Sequence, residues 1–305
     1  MKNQKSNMLL CAILFMCVLT SFGIYFYRKD AVSRAAELTY QRLSDSVLEQ
    51  SLTFNAKITG QFAILETMAE SLTQSEINNK AQLVLRMQDI IGSSYFYHIG
   101  FITPNGEGFV QDGTDINVKD RKYFQKAISG KSSVEMITSD RAVGAPKFVL
   151  SIPVIKDRKT IGVMFGSYSE KMFKKLFVIR PLGGSGISFI CDSAGEVILG
   201  SDSPKWIFAK GMPFSGASNI FDGYRKVTST GERTISDVGV DLAFGKHGTY
   251  EYSYENYSRY IIYEPLGIND WFIFNAVDGS TVDSITQSSL KIPFILIFAM
   301  AAGMF

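Results

Sequence analysis

The stretch YFYHIGFITPNGEGFVQDG, residues 95–113, changes the period of the chain. Upstream of it, apolar residues recur every three to four positions; within it, apolar runs flank a Pro-Asn-Gly turn, which predicts strand, turn, strand. DRKYFQKAISGK (120–131) follows as a short helical turn ending at Gly130. Three further strands are expected in SVEMIT (133–138), KFVLSIPVIK (147–156) and TIGVMFGSYS (160–169), with Asp157-Arg158-Lys159 as the tight turn between the last two. Pro153 cannot donate to a ladder, so it predicts a bulge or an edge position.

Working outward, residues 28–72 read as one long helix. They hold no Pro, and Gly60 is their only Gly. Tyr40, Leu43, Val47, Phe54, Ile58, Phe62, Leu65, Ala69 and Leu72, with Ser51 filling one gap, cover 32 residues in nine steps, about 3.56 per step. Such a stripe packs on its own domain or, near a membrane, on a second copy. Thr73-Gln74-Ser75 breaks it, and a second helix is expected from Ser75 to about Ile91, stopped by Gly92.

Downstream, residues 169–181 read as a connecting helix and GGSG (183–186) as a joint. A second alternating block then begins with a hairpin, ISFICDSAGEVILG (187–200). Residues 201–240 read as irregular, and TYEYSYENYSRYIIYEPLGINDWFIFNAVD (249–278) supplies three strands. Tyr250, Tyr252 and Tyr254 alternate and share one face, which reads as sheet packing rather than a stacking platform. A final helix is expected over 279–291. The body is thus a duplicated α+β module on a common stalk.

The ends set the class. Ser6 to Tyr27 are 22 uncharged residues between Lys2/Lys5 and Arg28-Lys29, long enough for a helix to cross a ~30 Å hydrocarbon core. The run is too long for a cleavable signal's apolar region and closes in Tyr-Phe-Tyr, so an uncleaved anchor is expected. After Lys291, fourteen uncharged residues (292–305) are too few to span alone and read as the start of a second transmembrane helix; a buried C-terminal helix is the competing reading. Residues 28–290 are then expected outside the cytoplasm.

Composition agrees with a folded body. The 305 residues are 46% hydrophobic, 13% aromatic and 20% charged, which excludes a disordered chain. Residues 28–290 hold 28 basic against 29 acidic residues, which argues against a nucleic-acid partner. Of Cys11, Cys17 and Cys191 only the last lies in the body, excluding a disulfide framework and a cysteine-based zinc site there. Asp112, Asp115 and Asp120 lack EF-hand spacing, and no HExxH, GxSxG or P-loop motif occurs. No metal, cofactor or catalytic residue is expected. His98 and Cys191 read as structural and His247 as solvated.

DRKYFQKAISGK, followed in order by ITSD (137–140), PKFVLSIPV and IGVMFGSYS, and later by Tyr260 through Pro265, Trp271 and Val277, resembles the double Cache sensor domain of bacterial membrane receptors over roughly residues 30–285. The resemblance implies an α+β fold: a long N-terminal stalk helix and two stacked PAS-like antiparallel-sheet lobes, flanked by transmembrane helices. It divides the chain into a cytoplasmic N-terminus and first transmembrane helix (1–27), stalk and second helix (28–94), membrane-distal lobe (95–168), membrane-proximal lobe (169–278), exit helix (279–291) and the start of the second transmembrane helix (292–305). It also implies a small-molecule pocket in the distal lobe, a homodimer, and output to a cytoplasmic effector. The IGVMFGSYS wording points to a diguanylate cyclase or phosphodiesterase; a chemotaxis domain or histidine kinase is the alternative.

The candidate ligand residues are Arg121, Tyr123, Phe124, Ser139, Asp140 and Ser167. A guanidinium matches a carboxylate bidentately. In amino-acid-binding members an Arg-x-aromatic-aromatic motif holds that carboxylate, and Arg121, Tyr123 and Phe124 match it; alternatively, Arg121 braces its loop. Where those members place an Asp for the ligand ammonium, this chain has Ser167. Asp140 or Asp112 could substitute if it faces inward; otherwise a simple organic acid fits better than an amino acid. A membrane-anchored extracellular hydrolase and an envelope adhesin are the competing functions.

Overall fold

A computed structural model of the protein describes residues 2–137, 147–176, 187–200, 219–224, 227–254, 257–280 and 284, with only the backbone for 2–21 and for some positions beyond. It opens with α1, Lys2–Ser71, one unbroken helix of 70 residues that contains the uncharged segment 6–27. Absence of proline permits this length. Among the residues whose side chains are described, no helix is long and apolar enough to cross a membrane.

The expected second helix is two. Thr73 makes a capping box with Glu76 and starts α2 (Gln74–Ile77), one residue before the expected start at Ser75. The chain then pauses, and Asn79 accepts from the Gln82 N–H to start α3 (Lys80–Ile91). Asn side chains compete with the helix ladder and favour such caps, which is why the segment restarts at Asn79.

Two six-stranded antiparallel sheets follow. The first contains β1 (His98–Ile102), β2 (Glu107–Val110), β3 (Asp115–Asn117), β4 (Ser133–Ile137), β5 (Lys147–Lys156) and β6 (Lys159–Ser169), in the order β3-β2-β1-β6-β5-β4. Helix α4 (Lys122–Ile128) lies between β3 and β4, and α5 (Glu170–Leu176) follows β6. The second sheet contains β7 (Ile187–Cys191), β8 (Val197–Gly200), β9 (Thr228–Ser229), β10 (Gly248–Tyr254), β11 (Tyr257–Pro265) and β12 (Phe272–Asp278), ordered β8-β7-β12-β11-β10-β9. Setting aside the short β3 and β9, the two sheets have one topology, with β1, β2, β4, β5 and β6 corresponding to β7, β8, β10, β11 and β12.

The β5–β6 turn is built as expected, with Asp157 and Arg158 both at positive φ. Pro153 sits at neither an edge strand nor the bulge itself, which falls one step on, at Val154/Ile155. Its position is permitted because β4 pairs with β5 only as far as Ser151. The three-residue β3 escaped sequence reading because three residues carry no period. Residues 201–240 are not irregular throughout: the described part contains α6 (Ile220–Tyr224) and α7 (Ile235–Ala243), the latter capped by Thr234 and Asp237. Of the expected 279–291 helix, residues 279, 280 and 284 are helical, and the others lie outside the described residues.

One apolar core runs along α1 from Leu43 to its C-terminal end. Leu43, Val47, Phe54, Ile58, Leu65, Ala69 and Leu72 are buried together with Leu83 and Met87 of α3. They meet Ile99, Phe101, Leu150 and Met164 on the back of the first sheet, and Ile262, Ile273 and Val277 on the back of the second. From Leu43 onward the stripe is therefore spent within the chain. Each such side chain contributes roughly 1.5–3 kcal/mol relative to exposure. Exposed ion pairs such as Lys80–Asp115 contribute about 0–1 kcal/mol, so apolar contact and not charge seats the helix.

The joint between sheets is aromatic. Phe148 of β5 stacks on Phe173 of α5 at 3.8 Å and meets Trp271, just before β12, edge-on. Asn269 donates across the joint to the Val134 carbonyl at 2.7 Å.

Two outcomes are expected. Phe173→Ala should lower unfolding free energy by about 3–5 kcal/mol in denaturant titration, because a buried ring is lost from a joint that cannot collapse. In the second sheet, Asp241 accepts from Tyr263 and pairs with Arg233. Burial alone would raise its pKa, but the Tyr263 and Arg233 hydrogen bonds outweigh it and hold the carboxyl below its usual range. Stability from this group is present above the unfolded value of about 3.9 and is lost as pH falls through the folded one. Asp241→Asn should therefore lower the thermal midpoint at pH 7, with the gap to the parent closing as pH drops below about 4.

Candidate functional site

The front face of the first sheet carries α4. Residues 122–128 form a helix because Arg121, in extended conformation, closes the preceding turn with its N–H on the Val118 carbonyl, while Gly130 at φ +90 ends it. Tyr123, Phe124 and Ala127 face the sheet and are buried against Val149, Val163 and Phe165. Ser151 Oγ fastens the helix, donating to the Tyr123 carbonyl at 3.0 Å and lying 3.1 Å from Ser133 Oγ. Tyr123 and Phe124 are thus wall residues with only 5% and 4% of their surface exposed.

Arg121 is half-buried at the N-terminal end of this helix. Its side chain makes no cap bond, and no described residue gives it an ion pair or a hydrogen bond, so the loop-brace alternative gains no support from described contacts. Asp120 and Lys122 beside it are exposed. Ser167 lies on β6, on the same face as Val163 and Phe165, and pairs in register with Val149 and His98. It is fully buried, and its Oγ makes no hydrogen bond. A buried hydroxyl in that state costs about 1–3 kcal/mol, which a ligand acceptor or donor would relieve. Ser139 and Asp140 lie outside the described residues.

Asp112 does not face inward. It is exposed in the β2–β3 turn, where the Thr114 backbone N–H and hydroxyl hold its carboxylate below the ordinary range. Asp115 pairs with Lys80, and among the described residues no group of three His, Cys, Asp or Glu side chains could hold a metal. Glu135, on the rung with Val149, is engaged by Lys126.

His98, expected to be structural, lies across from Ser167 on the front face. Its Nδ1 lies 3.4 Å from Gln111 Nε2, and Gln111 is itself tied to β1 through the Ile99 N–H. A serine and a histidine on one rung are two parts of a hydrolase, but no hydrogen bond joins them, since Ser167 Oγ has none. Sequence alternation alone could not reveal this neighbour, because it depends on the β1–β6 register. Cys191 is fully buried, with its thiol pKa pushed up by burial, as a core residue's should be. His247 is exposed, 4.0 Å from Glu264.

A depression of about 470 Å³ lined by Thr103, Pro104, Asn105, Glu107, Phe109 and Asp115 lies at the β1–β2 turn, open to solvent. The Lys80 ammonium borders it, paired with Asp115 and lying over the Phe109 ring, and neither Arg121 nor Ser167 lines it.

In the second sheet the front face is aromatic. Tyr250 and Tyr252 are buried and stack at 6.0 Å, so the tyrosine stripe is sheet packing as expected; the Tyr254 side chain lies outside the description. Phe189, Phe274 and Tyr263 form a further stack beneath α7.

No curated protein matches the chain. Among solved structures, it is similar to the ligand-binding domain of the Pseudomonas fluorescens chemoreceptor CtaA in complex with L-isoleucine (TM-score 0.62, 16% identity, 85% of this chain and 99% of that one). It is also similar to that of the Pseudomonas aeruginosa amino acid chemoreceptor PctB in complex with L-Arg (TM-score 0.60, 16% identity, 79% and 95%). A third is the sensory domain of the Campylobacter jejuni chemoreceptor Tlp3 with isoleucine bound (TM-score 0.60, 12% identity, 83% and 98%). At these identities the likeness establishes a shared fold. The double-Cache profile matches residues 31–284, most of the body between the two apolar ends, and the chain belongs to the Cache domain family.

Proposed function

We propose that this chain is the extracytoplasmic sensing region of a transmembrane signal-transduction receptor, and that its first lobe, residues 95–168, is membrane-distal and binds a small anion. The observation that carries the reading is the buried Ser167 hydroxyl, which makes no hydrogen bond on the sheet face that α4 covers, together with the half-buried Arg121 guanidinium, without a described partner, at the start of α4. Family membership supports a sensor role, and the similar chemoreceptor domains are described with amino acids bound. Arg121 holds the ligand carboxylate, Tyr123 and Phe124 back it, and Ser139 and Asp140 are the further ligand residues. Ser167, neutral where an ammonium needs an acid, favours a carboxylate without an amine.

Segment 6–27 is the first membrane anchor, 292–305 begin the second, and the second lobe, 169–278, stands next to the bilayer. The partner is a second copy: Leu48 and Leu52, one turn apart on α1, remain exposed while the opposite stripe is consumed in the core. The signal leaves through 279–291 and the second anchor toward a cytoplasmic effector, for which cyclic-di-GMP enzymes are the first candidates.

Binding tests the pocket. A charge-assisted hydrogen bond contributes roughly 1.5–3 kcal/mol, so Arg121→Ala should weaken a carboxylate ligand about 10–150-fold in calorimetry on the full chain in detergent. Unchanged affinity would remove the first lobe as its site. Ser167→Asp should shift preference from simple carboxylates toward α-amino acids. Topology has its own test: Glu232, exposed ahead of α7, should as Glu232→Cys react with an impermeant maleimide on whole cells. Protection in a folded chain would place the body on the other side of the membrane.

A further inference from the structure

The turn between β11 and β12, residues 266–271, belongs to the second lobe and reaches into the first. Within it, the Leu266 N–H donates to the Trp271 carbonyl at 2.8 Å, and the Trp271 N–H to the Ile268 carbonyl at 3.2 Å. Asp270 accepts from the Ser193 hydroxyl at 2.5 Å, which ties the turn to the β7–β8 hairpin. On the stalk side, the buried Ser51 hydroxyl donates to the Pro265 carbonyl at 2.8 Å. The turn is thus fixed both to its own sheet and to α1.

It meets the first lobe at β4. This is an edge strand with β5 as its sheet partner, so alternate carbonyls along it point away from the sheet and need another donor. The Val134 carbonyl has one in Asn269 Nδ2, at 2.7 Å. The residues on either side of Val134 lead to α4. Ser133 Oγ lies 3.1 Å from Ser151 Oγ, which donates to the Tyr123 carbonyl, and Glu135 pairs with Lys126. Asn269 stands at φ +51, in the left-handed region. Glycine would meet that backbone with less strain, but it lacks the amide that reaches β4.

We propose that Asn269 is an interlobe latch, the residue through which the position of β4, and with it α4, is coupled to the second lobe and the stalk. The contacts run without a gap from the Tyr123 carbonyl through Ser151 and Ser133 to β4, then through Asn269 to the turn and through Ser51 to α1. The aromatic packing of Phe148, Phe173 and Trp271 also joins the lobes, but apolar contact has no direction. A hydrogen bond weakens steeply once its angle is lost, so this one reports where β4 lies. It is made to the backbone, so it follows the strand itself and not one of its side chains. Loosening α4 is therefore felt at the root of β12, the strand that leads out of the body. The coupling is a property of the empty protein and does not rest on Arg121 holding a ligand.

Amide hydrogen exchange on the full chain in detergent, without ligand, tests the latch. The readout is the exchange rate of the Leu266 and Trp271 amides, which the turn's own hydrogen bonds protect. The first lobe is perturbed by Ser151→Ala, which unfastens α4, and separately by Lys126→Ala, a change at an exposed pair that folding tolerates. Ser151→Ala should speed exchange in the turn about two- to tenfold, and Lys126→Ala in the same direction by less. In an Asn269→Gly chain, whose backbone is unstrained there, both changes should leave the turn at the rate that Asn269→Gly alone gives. Asn269→Asp, which keeps the shape and loses the donor, should behave like Asn269→Gly. A purely structural asparagine would shift the starting rate and leave the response to the first-lobe changes intact. The proposal is overturned if Ser151→Ala and Lys126→Ala both leave the turn at the parent rate, or if their effect persists undiminished without Asn269.

Discussion

The contact between one helical stripe and the backs of two sheets organises this molecule. Each sheet is apolar on both faces and must cover both. The front of the first is covered by α4 and that of the second by α6 and α7, all local in sequence. The backs have no such local cover, and α1 supplies it for both, with α3 assisting on the first. Neither lobe's back is therefore closed without the stalk. The few polar ties along α1 follow the same seam: Tyr40 donates to Glu251, Ser51 to the Pro265 carbonyl, and Gln61 accepts from Tyr168. They fix rotation and register of the helix on a surface that apolar contact alone would leave able to slide.

Covering the backs leaves the fronts for chemistry. In each lobe the front face has a mostly apolar floor and a polar row toward one end, Glu135, Val149 and Ser167 in the first and Tyr252, Arg259 and Asp278 in the second. The rows differ in charge while the scaffolds agree in topology. A duplicated fold can in this way present two chemistries on one backbone plan, since function resides in the side chains placed on it and not in the plan itself.

Much of the fold was legible because its elements are long and periodic. The 3.56-residue stripe marked α1, and the Asp-Arg turn marked the β5–β6 hairpin, since both patterns depend only on local spacing. The misses were short or non-local. β3 is three residues long, α2 and α3 part at a single Asn cap, and α7 was hidden among Gly and Ser residues despite its Thr234–Asp237 box. At the candidate site, Arg121, Tyr123 and Phe124 were visible as a contiguous motif. His98 was not, because what brings it to its row is strand register between segments tens of residues apart.

The unbroken hydrogen-bond ladder of α1 also makes it a stiff rod. At 1.5 Å per residue, the portion from Leu43 to Leu72 measures about 45 Å and touches both lobes along that length. A rod seated on two bodies couples them mechanically. Tilting one lobe by a few degrees about the aromatic joint of Phe148, Phe173 and Trp271 must either bend the rod or roll the other lobe along it. A sharp kink in an α-helix needs a cause such as proline, and α1 contains none. Rolling would exchange one set of apolar contacts for another and also break the ties of Tyr40, Ser51 and Gln61, so the rod holds the two lobes in a single relative pose.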